Sequence, residues 1–231
     1  WHWIWDTGDG DLGNQGIHEV DIARWGLGVT FPNKGSALGG HFMFDDDQET
    51  PNTLNTAFEF ILPDGKKKML EFEVRHWISN HEAEIGLPSF GGGDIPVALG
   101  DAAAAKKARA AYKNTIGNIF YGSKGYMAMN GYDAYRTWLG EEQEPGPSLA
   151  KEGNNWANFL DCVRSRKKEN LNAPVLEGHI SCTLVHLANV SYRLGRTLHF
   201  DPASEQVIGD EEAARMLRGS YRAPYVVPEE V

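Results

Sequence analysis

Trp1-His2-Trp3-Ile4-Trp5-Asp6-Thr7-Gly8-Asp9-Gly10-Asp11-Leu12-Gly13-Asn14-Gln15-Gly16-Ile17-His18-Glu19-Val20-Asp21-Ile22-Ala23-Arg24-Trp25-Gly26 is the stretch on which the reading of this 231-residue chain turns. It passes from an aromatic run, read as a strand, through a Gly/Asp loop into a helix expected over 14–26. Glycines at 8, 10, 13 and 16 allow sharp turns or close approach to a ligand. Asp11 and Asn14 are N-cap types standing just before the apolar periodicity starts. That periodicity, Ile17, Val20 and Ala23 or Arg24, predicts one buried helix stripe. Asn14, His18, Asp21 and Trp25 follow at spacings of four, three and four and stack on the opposite face. A histidine on a polar face behind a glycine-rich entry suits a small ligand at a helix N-terminus. The same spacing equally describes a solvated face whose imidazole bonds to a neighbour.

Outward from this stretch, the pattern predicts an α+β fold: a mostly antiparallel, open β-sheet with helices packed on one face. Residues 35–45 read as a strand, and 53–62 and 66–77 alternate around the turn Pro63-Asp64-Gly65 as a hairpin. In the return strand Leu70, Phe72, Val74 and His76 share the apolar face. Asp45-Asp46-Asp47 lacks the alternating spacing of a calcium loop and reads as a solvated turn. Residues 79–101 form a long loop, and the alanine-rich run 101–112 reads as a short helix. Residues 118–129 form a second hairpin around Gly122-Ser123-Lys124-Gly125, and 141–153 a linker. Trp156, Phe159, Leu160 and Val163 mark an amphipathic helix closed by basic residues. After Pro174 a longer helix runs to about 195, with His179, Cys182, His186, Asn189 and Arg193 on its polar stripe. A strand at 197–200 and a helix at 211–218 complete the reading.

Composition narrows the classes. Apolar residues make up 41% and charged residues 23%, ordinary globular values that fit one domain over 1–231. A net charge of −10 disfavours nucleic acid and anionic membrane surfaces as partners. No apolar run reaches the roughly 20 residues of a membrane span. Cys162 and Cys182 fit neither a metal spacing nor a disulfide framework, and their apolar neighbours predict two buried thiols. His179 and His186, seven apart, lack the spacing of a zinc pair, and no metal is expected. No glycine-rich loop joins a strand to a helix with the dinucleotide-binding spacing. The chain opens at Trp1 without a methionine and reads as part of a longer frame, so the compartment, cytoplasmic or exported, stays open.

The run Gly13 to Trp25 resembles the first helix of the C-terminal domain of the Gfo/Idh/MocA family. The resemblance continues in Asp46-Asp47-Gln48-Glu49-Thr50-Pro51-Asn52-Thr53, in Phe120-Tyr121-Gly122-Ser123-Lys124-Gly125-Tyr126, and in Asn158-Phe159 through Arg166. It closes with Glu177-Gly178-His179 through Leu198 and with Tyr225-Val226-Val227-Pro228. The opening is similar to the bacterial branch with Trp-x-Trp-x-Trp-Asp. The resemblance implies a sugar or polyol oxidoreductase using NAD(P). It places the cofactor on an N-terminal Rossmann domain, with no cofactor-binding residues in this chain and none bound by the chain alone. It also implies a homo-oligomer joined through the sheet, with a sugar or polyol as the small-molecule partner.

Within the resemblance, His18 matches the histidine that binds substrate and assists proton transfer. Asn14 stands where the family usually carries aspartate, and an amide cannot act as a base near neutral pH. His18 and Asn14 are therefore the candidate catalytic residues. Trp5, Asp11, Gln15, Asp21, His76, Tyr121 and His179 are the candidate substrate contacts. Two further classes compete with the oxidoreductase: a cofactor-free or metal-assisted lyase or hydrolase, and a non-catalytic carbohydrate-binding module.

Overall fold

The computed structural model describes residues 1–75, 80–86, 90, 115–150, 153–218 and 221–228. In chain order its helices are α1 (Gly10–Asn14), α2 (Gly16–Leu27), α3 (Asn155–Ser165), α4 (Val175–Leu194) and α5 (Glu211–Arg218). Its strands are β1 (Lys34–Gly40), β2 (Thr53–Ile61), β3 (Lys67–Arg75), β4 (Gly117–Gly122), β5 (Gly125–Asn130), β6 (Ala134–Leu139), β7 (Glu144–Pro145), β8 (Leu149–Ala150), β9 (Leu198–Asp201) and β10 (Gln206–Val207). The class is α+β, as the sequence pattern predicts. The strands form two sheets where the pattern predicts one. The chain divides into two compact units: Trp1–Val20 with Val29–Val74 and His179–Val231, and Asp21–Gly28 with Arg75–Gly178.

In the first unit the sheet order is β10-β9-β1-β2-β3. Alternation in β2 decides which face is buried. Leu54, Thr56, Phe58 and Phe60 are buried, while Asn55 and Ile61 are exposed. The antiparallel register sets Gly35 opposite Phe58 and Leu38 opposite Asn55. In β3 Leu70 is buried between exposed Met69 and Glu71, as the period of two requires. Leu187 and Val190 of α4 join Leu198, Phe200 and Ala213 in a buried cluster. The buried Ser191 hydroxyl accepts from the Ala37 amide at 3.0 Å and donates to the Arg196 carbonyl at 2.7 Å. That satisfies a polar group which would be costly to bury alone.

The second unit carries the sheet β4-β5-β6-β7, with β8 also paired to β6. The 118–129 hairpin forms as expected, Tyr121 opposite Tyr126 and Gly122 opposite Gly125. Strand β6, to which the sequence analysis assigns no element, places Trp138 opposite Tyr126, and the two rings stack at 4.8 Å. Ile85, Phe90 and Ala128 form its buried cluster, with Ile119 and Trp138 packed against it.

Three expectations need correction. The aromatic opening is not a strand. Thr7 and Gly8 return amide hydrogen bonds to the Ile4 carbonyl at 3.0 and 2.9 Å, and residues 2–7 turn. Local hydrogen bonding outweighs the β propensity of three tryptophans that have no strand partner there. Cys162 is buried as expected, but Cys182 is exposed, because it falls on the polar stripe of α4. The apolar stripe of α3 faces outward: Trp156 is 74% exposed, Phe159 55% and Leu160 47%. The helix expected over 101–112 lies outside the described residues, as does much of the 79–101 loop.

Candidate functional site

The Gly/Asp loop holds Asp9 by backbone geometry. Gly10 takes φ +67°, a left-handed conformation that a side chain resists, and a Cβ there would meet the Thr50 side chain at 2.8 Å. A Cβ on Gly13 would lie 2.3 Å from that of Asp9, so only glycine lets the Asp9 side chain lie against α1. Asn189 of α4, itself buried, donates to the Asp9 carbonyl at 3.0 Å. His186, one turn earlier on α4, sets Nδ1 3.7 Å from Asp9 Oδ1, and both side chains are about half exposed. The His186 imidazole beside Asp9 holds that carboxyl below the usual range, with Asn189 adding to the effect and partial burial opposing it.

Beside this pair lies the aromatic opening. The Trp5 amide donates to Glu49 Oε2 at 2.8 Å. The Trp5 ring lies 6.3 Å from that of Tyr192, and the Arg193 guanidinium sits 5.0 Å over it, a cation–π arrangement.

The helix expected over 14–26 is broken at Gln15, with Asn14 closing α1 and His18 in α2. Asn14, His18 and Trp25 are exposed, while Gly16, Glu19, Val20 and Arg24 are buried. Gln15 donates through its amide to both Glu19 oxygens, at 3.3 and 3.2 Å. Burial pushes the Glu19 carboxyl up, opposed by that hydrogen bond. In the second unit Arg24 pairs with Glu177 and lies 3.6 Å from Asp21. A buried guanidinium needs such a partner, which explains how a charged residue sits on the inner stripe.

Of the sequence-derived site residues, Trp5, Asp11, Asn14, Gln15, His18 and His179 belong to the first unit, Asp21 and Tyr121 to the second. Asn14, at the end of α1, and His18, in the first turn of α2, are both exposed, whereas Gln15 is turned to Glu19. His179 Nε2 meets Glu205 Oε2 at 2.8 Å, and its ring packs edge-on against Phe31. Tyr121 donates to Glu82 at 3.1 Å. His76 lies outside the described residues. Sequence reasoning missed Asp9, His186 and Glu19. The i+3 step from His186 to Asn189 was legible, but nothing in the spacing joins α4 to a loop about 180 residues away. Among the described residues no three His, Cys, Asp or Glu side chains converge as a metal site. No helix among them is long and apolar enough to cross a membrane.

Glu19 gives a direct test of its burial. A carboxyl whose folded value is raised holds its proton longer in the folded state than in the unfolded chain. Stability is therefore lost as pH rises through that window, starting near the ordinary value of 4.5. Glu19→Gln should be more stable than the parent at pH 7, with the gap closing below pH 4.5, in urea unfolding at each pH. A variant weaker than the parent at both pH values would show that the Gln15 contact outweighs desolvation.

Residues 120–227 match the family described as "Oxidoreductase family, C-terminal alpha/beta domain". Solved structures share the fold. A proposed oxidoreductase from Erwinia carotovora atroseptica SCRI1043 aligns with TM-score 0.55 and 12% identity, over 83% of this chain and 50% of that one. An oxidoreductase from Sinorhizobium meliloti aligns with TM-score 0.52 and 13% identity, over 80% and 51%. A proposed NADPH-dependent oxidoreductase from Desulfitobacterium hafniense DCB-2 aligns with TM-score 0.51 and 13% identity, over 84% and 49%. No curated protein matches the chain. The solved structures thus share the α+β fold, and the family match is confined to residues 120–227. Over those residues, just under half of the chain, it is similar to the C-terminal domain of the Gfo/Idh/MocA oxidoreductases. The chain spans about half the length of the solved structures it matches.

Proposed function

We propose that this chain is the substrate-binding and assembly part of a sugar or polyol oxidoreductase whose NAD(P) is held elsewhere in a longer protein. The observation that carries the reading is the exposed pair Asn14 and His18 behind the Gly/Asp loop, and the match of residues 120–227 to the C-terminal domain of an oxidoreductase family supports it. The greater length of the solved relatives leaves room for a nucleotide-binding domain, and one relative is described as NADPH-dependent. Every strand pair whose register is described here is antiparallel, without the β–α–β turn that seats a pyrophosphate on a helix N-terminus.

Calorimetric titration of the chain with NADH and NADPH should show no micromolar affinity, and the full-length gene product should reduce or oxidise nicotinamide only with a sugar or polyol present. Micromolar affinity in the chain alone overturns the division of labour. Turnover of a sugar without nicotinamide overturns the reaction class and favours a lyase or hydrolase.

The assembly surface is the outer face of the first sheet. Leu38 (81% exposed), Met69 (63%) and Ile61 (50%) project there beside the ion pairs of Glu59 with Lys34 and Lys67. Apolar side chains in such a row are better buried against another copy than left in water. Light scattering should report a dimer or tetramer, and Leu38→Glu should shift it toward monomer. A clean monomer for the parent at micromolar concentration removes this surface from the reading.

A further inference from the structure

We propose that His186 and Asp9 are a proton-transfer pair of the ligand site, His186 Nε2 exchanging a proton with a ligand hydroxyl while Asp9 orients the ring. The inference rests on the sugar or polyol reading above.

Four observations carry it. Asp9 is placed with more constraint than a surface ion pair needs: left-handed Gly10, the Gly13 position that a Cβ would close, and Asn189 on its carbonyl. The imidazole presents Nδ1 to the carboxylate, which leaves Nε2 on the far side of a half-exposed ring. A carboxylate on one ring nitrogen fixes the tautomer and frees the other nitrogen, the arrangement by which an acid orients a general base. The distance of 3.7 Å is longer than a hydrogen bond, as such contacts often are before a ligand tightens them.

The third observation is what stands nearby. Trp5, with Arg193 over its ring and Tyr192 beside it, gives an aromatic surface close in sequence to Asp9. Arg193 and Glu49 contact Trp5, and Asp6, the next residue, lines a cavity with Arg222. The fourth is Asn14, the last residue of the short helix that Asp9 precedes. The amide at Asn14 cannot take a proton, and the Asp9–His186 pair supplies a carboxylate-backed base in the same unit.

In the step itself the ligand O–H bond breaks and an N–H bond forms at Nε2. The oxygen keeps the electron pair, and the imidazolium charge is held against the Asp9 carboxylate. In the reverse direction the same N–H is returned to oxygen. His186 touches the ligand; Asp9 is a positioning residue.

The test has two arms. Long-range imidazole NMR on the chain should show His186 protonated at Nδ1 in its neutral form, that preference lost in Asp9→Asn, and the His186 signals moving when D-glucose, D-glucitol or myo-inositol is added. In the full-length protein His186→Gln should lower turnover by about 10²–10⁴-fold. Asp9→Asn should lower it less and displace its pH dependence, and Asp9→Glu should restore part of the loss. A purely structural contact would lower the melting temperature in these variants and leave the pH dependence where it was. An unchanged tautomer in Asp9→Asn, or no response of His186 to any of the three polyols, overturns the pair whatever the full-length protein does. Near-normal turnover in His186→Gln also overturns it. Absence of any nicotinamide-dependent turnover strikes the function reading instead, and the NMR arm still decides the pair.

Discussion

His18→Ala should lower turnover of the full-length protein by about 10²–10⁴-fold, the usual worth of a positioned acid–base group, with little change in melting temperature. His18 is the third residue of α2, its amide bonded to the Gln15 carbonyl at 3.1 Å, and its side chain is exposed, as is that of Asn14 at the end of α1. Truncating an exposed imidazole removes no core packing, so folding should shift by no more than about 0.5 kcal/mol. The buried residues of that turn are Gly16, Glu19 and Val20, and they stay in place. The competing reading, a solvated helix face, makes the opposite forecast: near-normal turnover, or a loss matched by unfolding. Turnover and melting temperature measured together on one preparation separate the two. Full activity in a stably folded variant would take His18 out of the site.

The fold was legible where side-chain period and burial agree. The β2–β3 hairpin alternates around a Pro-Asp-Gly turn, and its buried set is the one the period of two predicts. Helices α4 and α5 fall within a residue of their expected ends because apolar stripes and flanking breakers mark them. The exposed stripe of α2 was legible for the same reason. What stayed hidden depends on contacts that no local window contains. Three tryptophans at alternate positions look like a strand, yet the chain turns at Ile4, Thr7 and Gly8. Arg24 and Glu19 are charged residues at inner positions, where Arg24 meets Glu177 and Asp21 and Glu19 accepts from Gln15. The Asp9–His186 pair joins the two ends of the sequence, so no spacing rule could have proposed it.

A core substitution puts the sheet register itself at risk. Phe58→Ala should cost about 3–5 kcal/mol, the range for emptying a buried aromatic site. Phe58 is 1% exposed at the middle of β2, and its ring lies where a Cβ on Gly35 would approach within 3.2 Å. No side chain on Gly35 is available to fill the hole from β1, and Phe60 is already packed on the same face. At about 2–4 °C per kcal/mol for a chain of this size, the melting temperature should fall by roughly 6–20 °C. Met69→Ala on β3 is the matched control, because Met69 is 63% exposed on the opposite face. Measured at a concentration where light scattering shows a monomer, so that the outer face meets water, it should stay within about 0.5 kcal/mol of the parent. A one-residue slip of either strand would exchange the two faces and reverse that ranking. Urea midpoints for the two variants therefore test the face assignment directly: a large loss in Met69→Ala with a small one in Phe58→Ala would mean that the outer row of Leu38, Ile61 and Met69 is the core.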